Sequence, residues 1–275
     1  GKPDARTIVV VNGLGGNLTT WRHQLNHLVP DYRLVTWDYR GLFGSALAPG
    51  QSDVSLGIDR HADDAFAVMA DRGLGQVILM GWSMGVQLNF ELYRRAPERM
   101  DAIIQIAGSY GRSLSTTRFG RHGEKFILPA MGVMRHVMNF QGHTIAKAIG
   151  SPLVLAFAKR TGFVAPSLDE ALVADIMKDY VTLDFTVYNK ILATLGEHDA
   201  ESQLPNVLAP VLVIAGDNDP MTPHWLSEKM ARDIPDAELE LIGGASHYLP
   251  AEFPARVNAR ISEFLGRKLA EAPAA

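Results

Sequence analysis

Gly81-Trp82-Ser83-Met84-Gly85 sets a serine between two glycines at a point where the residue pattern changes period. Before it, Gln76-Val77-Ile78-Leu79-Met80 is an apolar run suited to a buried strand, and after it Val86 to Arg95 reads as a helix. A strand, a Gly-x-Ser-x-Gly turn and a helix lift a serine hydroxyl above the end of a sheet. The two glycines remove the Cβ atoms that would collide in so sharp a turn. The helix start then aims backbone N–H groups, and the positive end of its dipole, at the same point.

A serine hydroxyl is a poor nucleophile at neutral pH and needs a base, usually a histidine oriented by a carboxylate. Of nine histidines, His247 in Gly243-Gly244-Ala245-Ser246-His247 is best placed, because it directly follows the last strand pattern. His224 opens a helix and reads as surface, while His23, His27 and His61 fall on helices behind the sheet. The acid is expected at a strand end before the histidine, where Gly216-Asp217-Asn218-Asp219-Pro220 follows Val211 to Ala215. Asp219 is the favoured acid and Asp217 the alternative; either would otherwise serve as an Asx-turn residue. Gly196-Glu197-His198-Asp199 has similar letters, but it follows a helical pattern that carries it away from the site.

Acyl transfer also needs two N–H groups facing the oxygen of a tetrahedral intermediate. Met84, directly after the serine, supplies one. Asn12-Gly13-Leu14-Gly15-Gly16-Asn17 follows the β-branched run Thr7 to Val11 and supplies the other from Leu14. The same turn lacks the Gly-Lys-Ser/Thr ending and the full G-x-G-x-x-G spacing of a phosphate loop.

The elements that must position these groups alternate. Strand patterns at Thr7–Val11, Tyr32–Trp37, Gln76–Met80 and Asp101–Ile106 are separated by helical ones, including Ile58–Asp71 with Ala65, Val68 and Met69 on one face. Strand and helix alternation resumes at Val211, with a helix from Pro223, a strand at Ala237–Ile242 and a closing helix at Pro254–Leu269. This is the pattern of a parallel, doubly wound α/β sheet, whose functional residues gather at the carboxyl ends of the strands. Residues 112–204 break the alternation with helical stretches, among them Phe126–Phe140 and Leu168–Thr186. The expected organisation is one core, 1–111 and 205–275, with 112–204 inserted as a helical cap.

Composition narrows the class. Of 275 residues, 47% are hydrophobic and 20% charged, enough for a sizeable core. A net charge of −4 gives no basic field for nucleic acid; the local cluster Arg112, Arg118, Arg121, His122 and Lys125 reads as a solvated face. The absence of cysteine excludes disulfides, thiolate metal sites and a cysteine nucleophile. No apolar run is long enough to span a membrane. Gly1-Lys2-Pro3-Asp4 carries no signal-peptide core, and a cytoplasmic location is expected.

With these pieces placed, the chain resembles the α/β-hydrolase fold superfamily. The resemblance rests on Asn12 to Gly16, Asp38-Tyr39-Arg40-Gly41 with Ser45, Gly81 to Gly85, Gly216 to Asp219, and His247 with Glu252 and Pro254. It implies a mostly parallel sheet with an inserted cap, Ser83, Asp219 and His247 as a catalytic triad, and Leu14 and Met84 as the oxyanion hole. It also implies a small-molecule ester substrate and no metal or organic cofactor. The same triad serves lactonases, C–C bond hydrolases, thioesterases and cofactor-free perhydrolases, and some members of the fold only bind ligands. There are departures: Asn12 stands where histidine is usual, Phe43 where glycine is common, and Val86 and Asn89 where small residues follow the elbow. The chain begins at what resembles the third strand of that fold, so the sheet is expected to be without the two strands that usually open it.

Substrate choice falls to the inserted segment. Met131, Met134 and Met138 share a helical face that reads either as core packing or as an adaptable acyl pocket. Trp82, Leu14 and Phe43 would add apolar surface at the mouth. No cluster of arginines or lysines is aimed at the serine, so the expected substrate is a carboxylic ester with a small to medium apolar acyl group.

Overall fold

The computed structural model describes residues 1–47, 55–117, 129, 151–160 and 164–271. Among these described residues, six strands form one wholly parallel sheet in the order β2-β1-β3-β4-β5-β6. They are β1 Thr7–Val11, β2 Arg33–Val35, β3 Val77–Trp82, β4 Met100–Ile106, β5 Val211–Gly216 and β6 Ala237–Ile242. In the four central strands nearly every residue is buried, which is why they are continuous apolar runs rather than alternating ones.

Alternate side chains face two separate cores. Ile8, Val10, Ile78, Met80, Ile104 and Ile214 point to the side covered by α1 (Arg22–Leu28) and the closing helix, Pro254–Glu271. Val9, Val11, Leu79, Ile103 and Val213 point to the side covered by α2 (Ile58–Asp71) and α3 (Met84–Arg95). Between β4 and β5 the chain forms α4 (Pro152–Arg160), α5 (Glu170–Tyr180) and α6 (Phe185–Leu195). After β5 come α7 (His224–Asp233), the single turn α8 (Leu249–Glu252) and α9 (Pro254–Glu271).

The chain runs from β1 outward to β2, then returns across the sheet to β3 beside β1. Strand order therefore reverses between β1 and β3, the point at which open α/β sheets leave a crevice at their carboxyl ends. The turns after these two strands carry Leu14 and Ser83.

Three expectations need correction. Leu168–Thr186 is not one helix: Asp169 caps α5 by accepting the Leu172 N–H at 3.0 Å, and Asp184 caps α6 by accepting those of Thr186 at 2.7 Å and Val187 at 3.4 Å. The second strand is shorter than Tyr32–Trp37, because the Trp37 carbonyl leaves the ladder to accept from the Asn12 amide at 2.7 Å. Val68 is only half-buried; the inward face of α2 is Ile58, His61, Ala62, Ala65 and Met69.

His61 is the unusual member of that face. Fully buried, its ring lies 4.9 Å from that of Tyr39. Burial, opposed by Asp64 and reinforced by Arg40, lowers its pKa to about 4. The folded value thus lies below the unfolded one, so the unfolded chain takes up the proton first as pH falls. Stability should drop between about pH 6.5 and 4, by roughly 2–3 kcal/mol at pH 4.5 relative to pH 7.5. His61→Leu should remove that part of the slope in urea titrations at the two pH values. Equal slopes in both proteins would exclude the buried imidazole as its source.

Candidate active site

Ser83 is the single residue between β3 and α3 and has φ 56° and ψ −115°, a region that non-glycine residues avoid. The surrounding glycines permit it. A Cβ on Gly81 would lie 2.6 Å from the Gly85 carbonyl oxygen, and one on Gly85 would lie 2.3 Å from that of Val11. Gly85→Ala should therefore cost about 3 kcal/mol in thermal or urea denaturation, because backbone has to move to make room. A variant as stable as the parent would mean that the turn is less tightly held than these distances require.

The serine hydroxyl lies 2.9 Å from His247 Nε2, and the other ring nitrogen, Nδ1, lies 2.8 Å from Asp219 Oδ2. Three elements distant in sequence converge here: the elbow after β3, the turn after β5 and the loop after β6. Asp219 and His247 are both buried. Burial pushes the Asp219 carboxyl upward, but the charge and hydrogen bond of His247 and the Thr222 donors outweigh it, leaving its pKa below the usual value. Asp219 Oδ1 accepts from the backbone N–H groups of Met221 at 2.8 Å and Thr222 at 2.9 Å, and Oδ2 accepts from the Thr222 hydroxyl at 2.7 Å. The other aspartate, Asp217, turns away and accepts the Gly244 N–H at 2.7 Å.

The histidine loop is held from two sides. The Trp82 indole donates to the His247 carbonyl at 3.0 Å, with its ring 5.5 Å from the imidazole. Glu252, fully buried, accepts from Ser246 N–H at 2.7 Å, Ser246 Oγ at 2.6 Å and, across to the inserted segment, Ala165 N–H at 2.7 Å. These donors account for a buried carboxylate that has no cation beside it among the described residues.

Leu14 sits in a tight turn closed by the Gly16 N–H donating to the Gly13 carbonyl at 2.9 Å. Asn12 anchors that turn: its amide donates to Trp37, its Oδ1 accepts the Trp21 indole at 2.9 Å, and its carbonyl accepts the Tyr39 hydroxyl at 2.5 Å. Asparagine in this position thus supports a well-tied turn. The other departures also fit their surroundings. Val86 packs into the space left by Gly108, where a Cβ would lie 2.2 Å from its methyl carbon. The Asn89 amide donates to Gln105 Oε1 at 2.8 Å beneath the elbow.

A cavity of about 390 Å³ opens over the serine, within the usual range for small-molecule sites. Leu14, Trp82, Ser83, Met84 and His247 form its floor, and Ile176, Met177, Tyr180, Tyr188 and Leu192 its opposite wall. Tyr180, Tyr188, Leu192 and Tyr248 were not singled out in the sequence, because residues that meet only through tertiary packing leave no local pattern. Thr222, three residues after Asp219, could have been found as the partner in its Asx-type turn.

Phe43 does not line this cavity. It has φ 47° and packs against the core on the α2–α3 side, so the position favours glycine for a backbone reason. Met131, Met134 and Met138 lie outside the described residues, as do Arg118, Arg121, His122 and Lys125. Arg112 pairs with Asp199 at 2.7 Å. Among the described residues, no group of three or more His, Asp and Glu side chains is gathered as metal ligands would be, and no helix is long and apolar enough to cross a membrane.

Known proteins share this architecture. The 3-oxoadipate enol-lactonase 2 of Acinetobacter baylyi is 26% identical over 270 residues, covering 97% of this chain and 91% of that protein. The RutD protein of Rhizobium rhizogenes, named for a proposed carbamate hydrolase activity, is 27% identical over 266 residues, covering 96% and 94%. A bromoperoxidase from Bacillus anthracis superposes with a TM-score of 0.77 at 20% identity, over 95% of this chain and 92% of that one. The pattern of one family runs through residues 8–260, from the first strand to the closing helix, and the chain belongs to the alpha/beta hydrolase family.

Proposed function

We propose that the chain is a serine hydrolase that cleaves carboxylic esters with small to medium apolar acyl groups through an acyl-enzyme. The observation that carries this reading is the hydrogen-bonded series from Ser83 Oγ to His247 to Asp219, at 2.9 and 2.8 Å, on the floor of a cavity.

Ser83 Oγ attacks the ester carbonyl while His247 Nε2 takes its proton. The Asp219 carboxylate keeps the Nδ1 proton in place and stabilises the imidazolium. The Leu14 and Met84 N–H groups receive the oxyanion, the latter as one of the free donors of the first turn of α3. His247 returns the proton to the leaving alkoxide, then deprotonates the water that releases the acid. Helices α4 to α6 act as the cap, with Ile176, Met177 and Leu192 providing apolar contact for the acyl chain. Trp82 both lines the cavity and holds the histidine loop.

A lactone is the cyclic form of the same substrate, and the resemblance to an enol-lactonase favours including lactones in any panel. The rival from another class is a protein that binds ligands without turning them over. A fluorophosphonate probe separates the two. It should label the chain at one site, found at Ser83 by peptide mass spectrometry, with loss of p-nitrophenyl butyrate hydrolysis in proportion. A folded chain that remains unlabelled would sink the catalytic reading.

A further inference from the structure

The turn that carries Leu14 is held not only by the sheet but by helix α5, which belongs to the inserted segment. Asp179, on the last turn of α5, uses one oxygen, Oδ2, to accept from Asn17 Nδ2 at 2.8 Å and from Thr19 Oγ1 at 2.7 Å. Asn17 ends the glycine-rich turn, and its own Oδ1 accepts the Thr19 N–H at 3.0 Å. The carboxylate therefore closes a small ring of hydrogen bonds around the turn's exit.

The next residue, Tyr180, lies directly over the turn: a Cβ on Gly15 would be 2.7 Å from its hydroxyl oxygen. Burial raises the pKa of this phenol well above the usual value, so it stays neutral. Beneath, a Cβ on Gly13 would be 2.6 Å from the Trp82 ring. Leu14 thus sits between two glycines, one pressed by the residue before the nucleophile and one by α5.

We propose that Asp179 is a positioning residue for the oxyanion turn, so that seating of α5 sets the direction of the Leu14 N–H. This rests on the serine-hydrolase reading above. It goes beyond that reading because it assigns to the inserted segment a role in transition-state stabilisation as well as in substrate contact. The other bridges from this helix provide internal controls. Arg22–Asp175 at 2.7 Å, and His23 with the helix-capping Asp169 at 3.0 Å, fasten α5 to the region of α1 without touching the turn.

An oxyanion donor that is displaced rather than deleted should cost less than the roughly 10²–10³-fold of complete removal. With p-nitrophenyl butyrate as substrate, Asp179→Ala should lower kcat by roughly 10–100-fold and leave KM within about twofold. Inhibition by butylboronic acid, whose serine adduct places an oxygen in the oxyanion site, should weaken by a similar factor. Asp179→Asn keeps one oxygen able to accept from both Asn17 and Thr19, and should recover most of the loss. Asp175→Asn, which removes only the part-exposed ion pairs with Arg22 and Lys178, should leave kcat and boronate inhibition unchanged.

A role confined to fastening the cap would move the melting temperature or KM, and Asp175→Asn would mimic it. Unchanged kcat and boronate affinity in folded Asp179→Ala, while the parent labels at Ser83, would overturn the proposal and leave the serine-hydrolase reading intact. Failure of the parent to label at Ser83 would overturn both.

Discussion

Ser83→Ala should lower ester turnover by roughly 10⁴-fold or more while the protein remains folded. The two halves of that expectation have separate causes. Alanine retains the Cβ and so fits the same backbone geometry, φ 56° and ψ −115°. What it loses is one hydroxyl, hydrogen-bonded to His247 Nε2 at 2.9 Å at the cavity floor. An isolated neutral hydrogen bond of this kind contributes about 1 kcal/mol to stability. The melting temperature should therefore hardly move. The proposed catalysis, in contrast, loses the atom that would form the acyl-enzyme. Any remaining rate must come from water attacking a carbonyl bound against the Leu14 and Met84 N–H groups. Steady-state assays on a p-nitrophenyl ester series, with circular dichroism on the same samples, check both halves. A variant retaining most of its activity would remove Ser83 from the chemistry; one that unfolds would leave the elbow as a structural device.

The same residues show why the sheet and the site were legible from the sequence while the cavity was not. A parallel strand covered on both faces has to be apolar at every position. Thr7–Val11 and Val211 to Ala215 could therefore be placed almost to the residue. Parallel topology then sends the ends of β3, β5 and β6 to one edge, which brings Ser83, Asp219 and His247 together across more than 160 residues. The turn's two aspartates favour Asp219 by position but leave Asp217 open as the alternative, because the contact that separates them is tertiary. The choice depends on which carboxylate meets Gly244 and which meets the imidazole. The inserted helices follow different physics. Around residues 181–184 neither glycine nor proline marks the break between α5 and α6, and the apolar spacing continues through it. Only the side-chain caps of Asp169 and Asp184 define the two helices. Tyr180 and Tyr188 reach the cavity from separate helices, so no local periodicity could have paired them. Phe43 misled because a bulky residue near a catalytic turn suggests a pocket wall. Its positive φ turns it into the core instead.

Asp219→Asn should be nearly as damaging as loss of the serine, lowering kcat by roughly 10³–10⁴-fold with little change in structure. The hydrogen bonds explain why so small a change matters. Oδ1 of Asp219 accepts two backbone N–H groups, from Met221 and Thr222. An asparagine would keep its oxygen there and turn its amide NH₂ toward the position of Oδ2, facing His247 Nδ1. The amide then donates where the carboxylate accepted, so Nδ1 must give up its proton and the imidazole carries it on Nε2. That nitrogen now points a hydrogen at Ser83 Oγ and has no lone pair to receive the serine's proton. The variant also lacks the negative charge that would stabilise the imidazolium. Asp217→Asn is the matched control. Asparagine can still accept the Gly244 N–H, and turnover should stay within about threefold of the parent. On the proposed mechanism Ser83 and Asp219 act as a unit, so the double variant Ser83→Ala/Asp219→Asn should be no slower than Ser83→Ala alone. Multiplicative losses would mean that Asp219 contributes by a route that does not pass through His247 and Ser83. A large loss in Asp217→Asn with Asp219→Asn unaffected would move the acid to the other side of the turn.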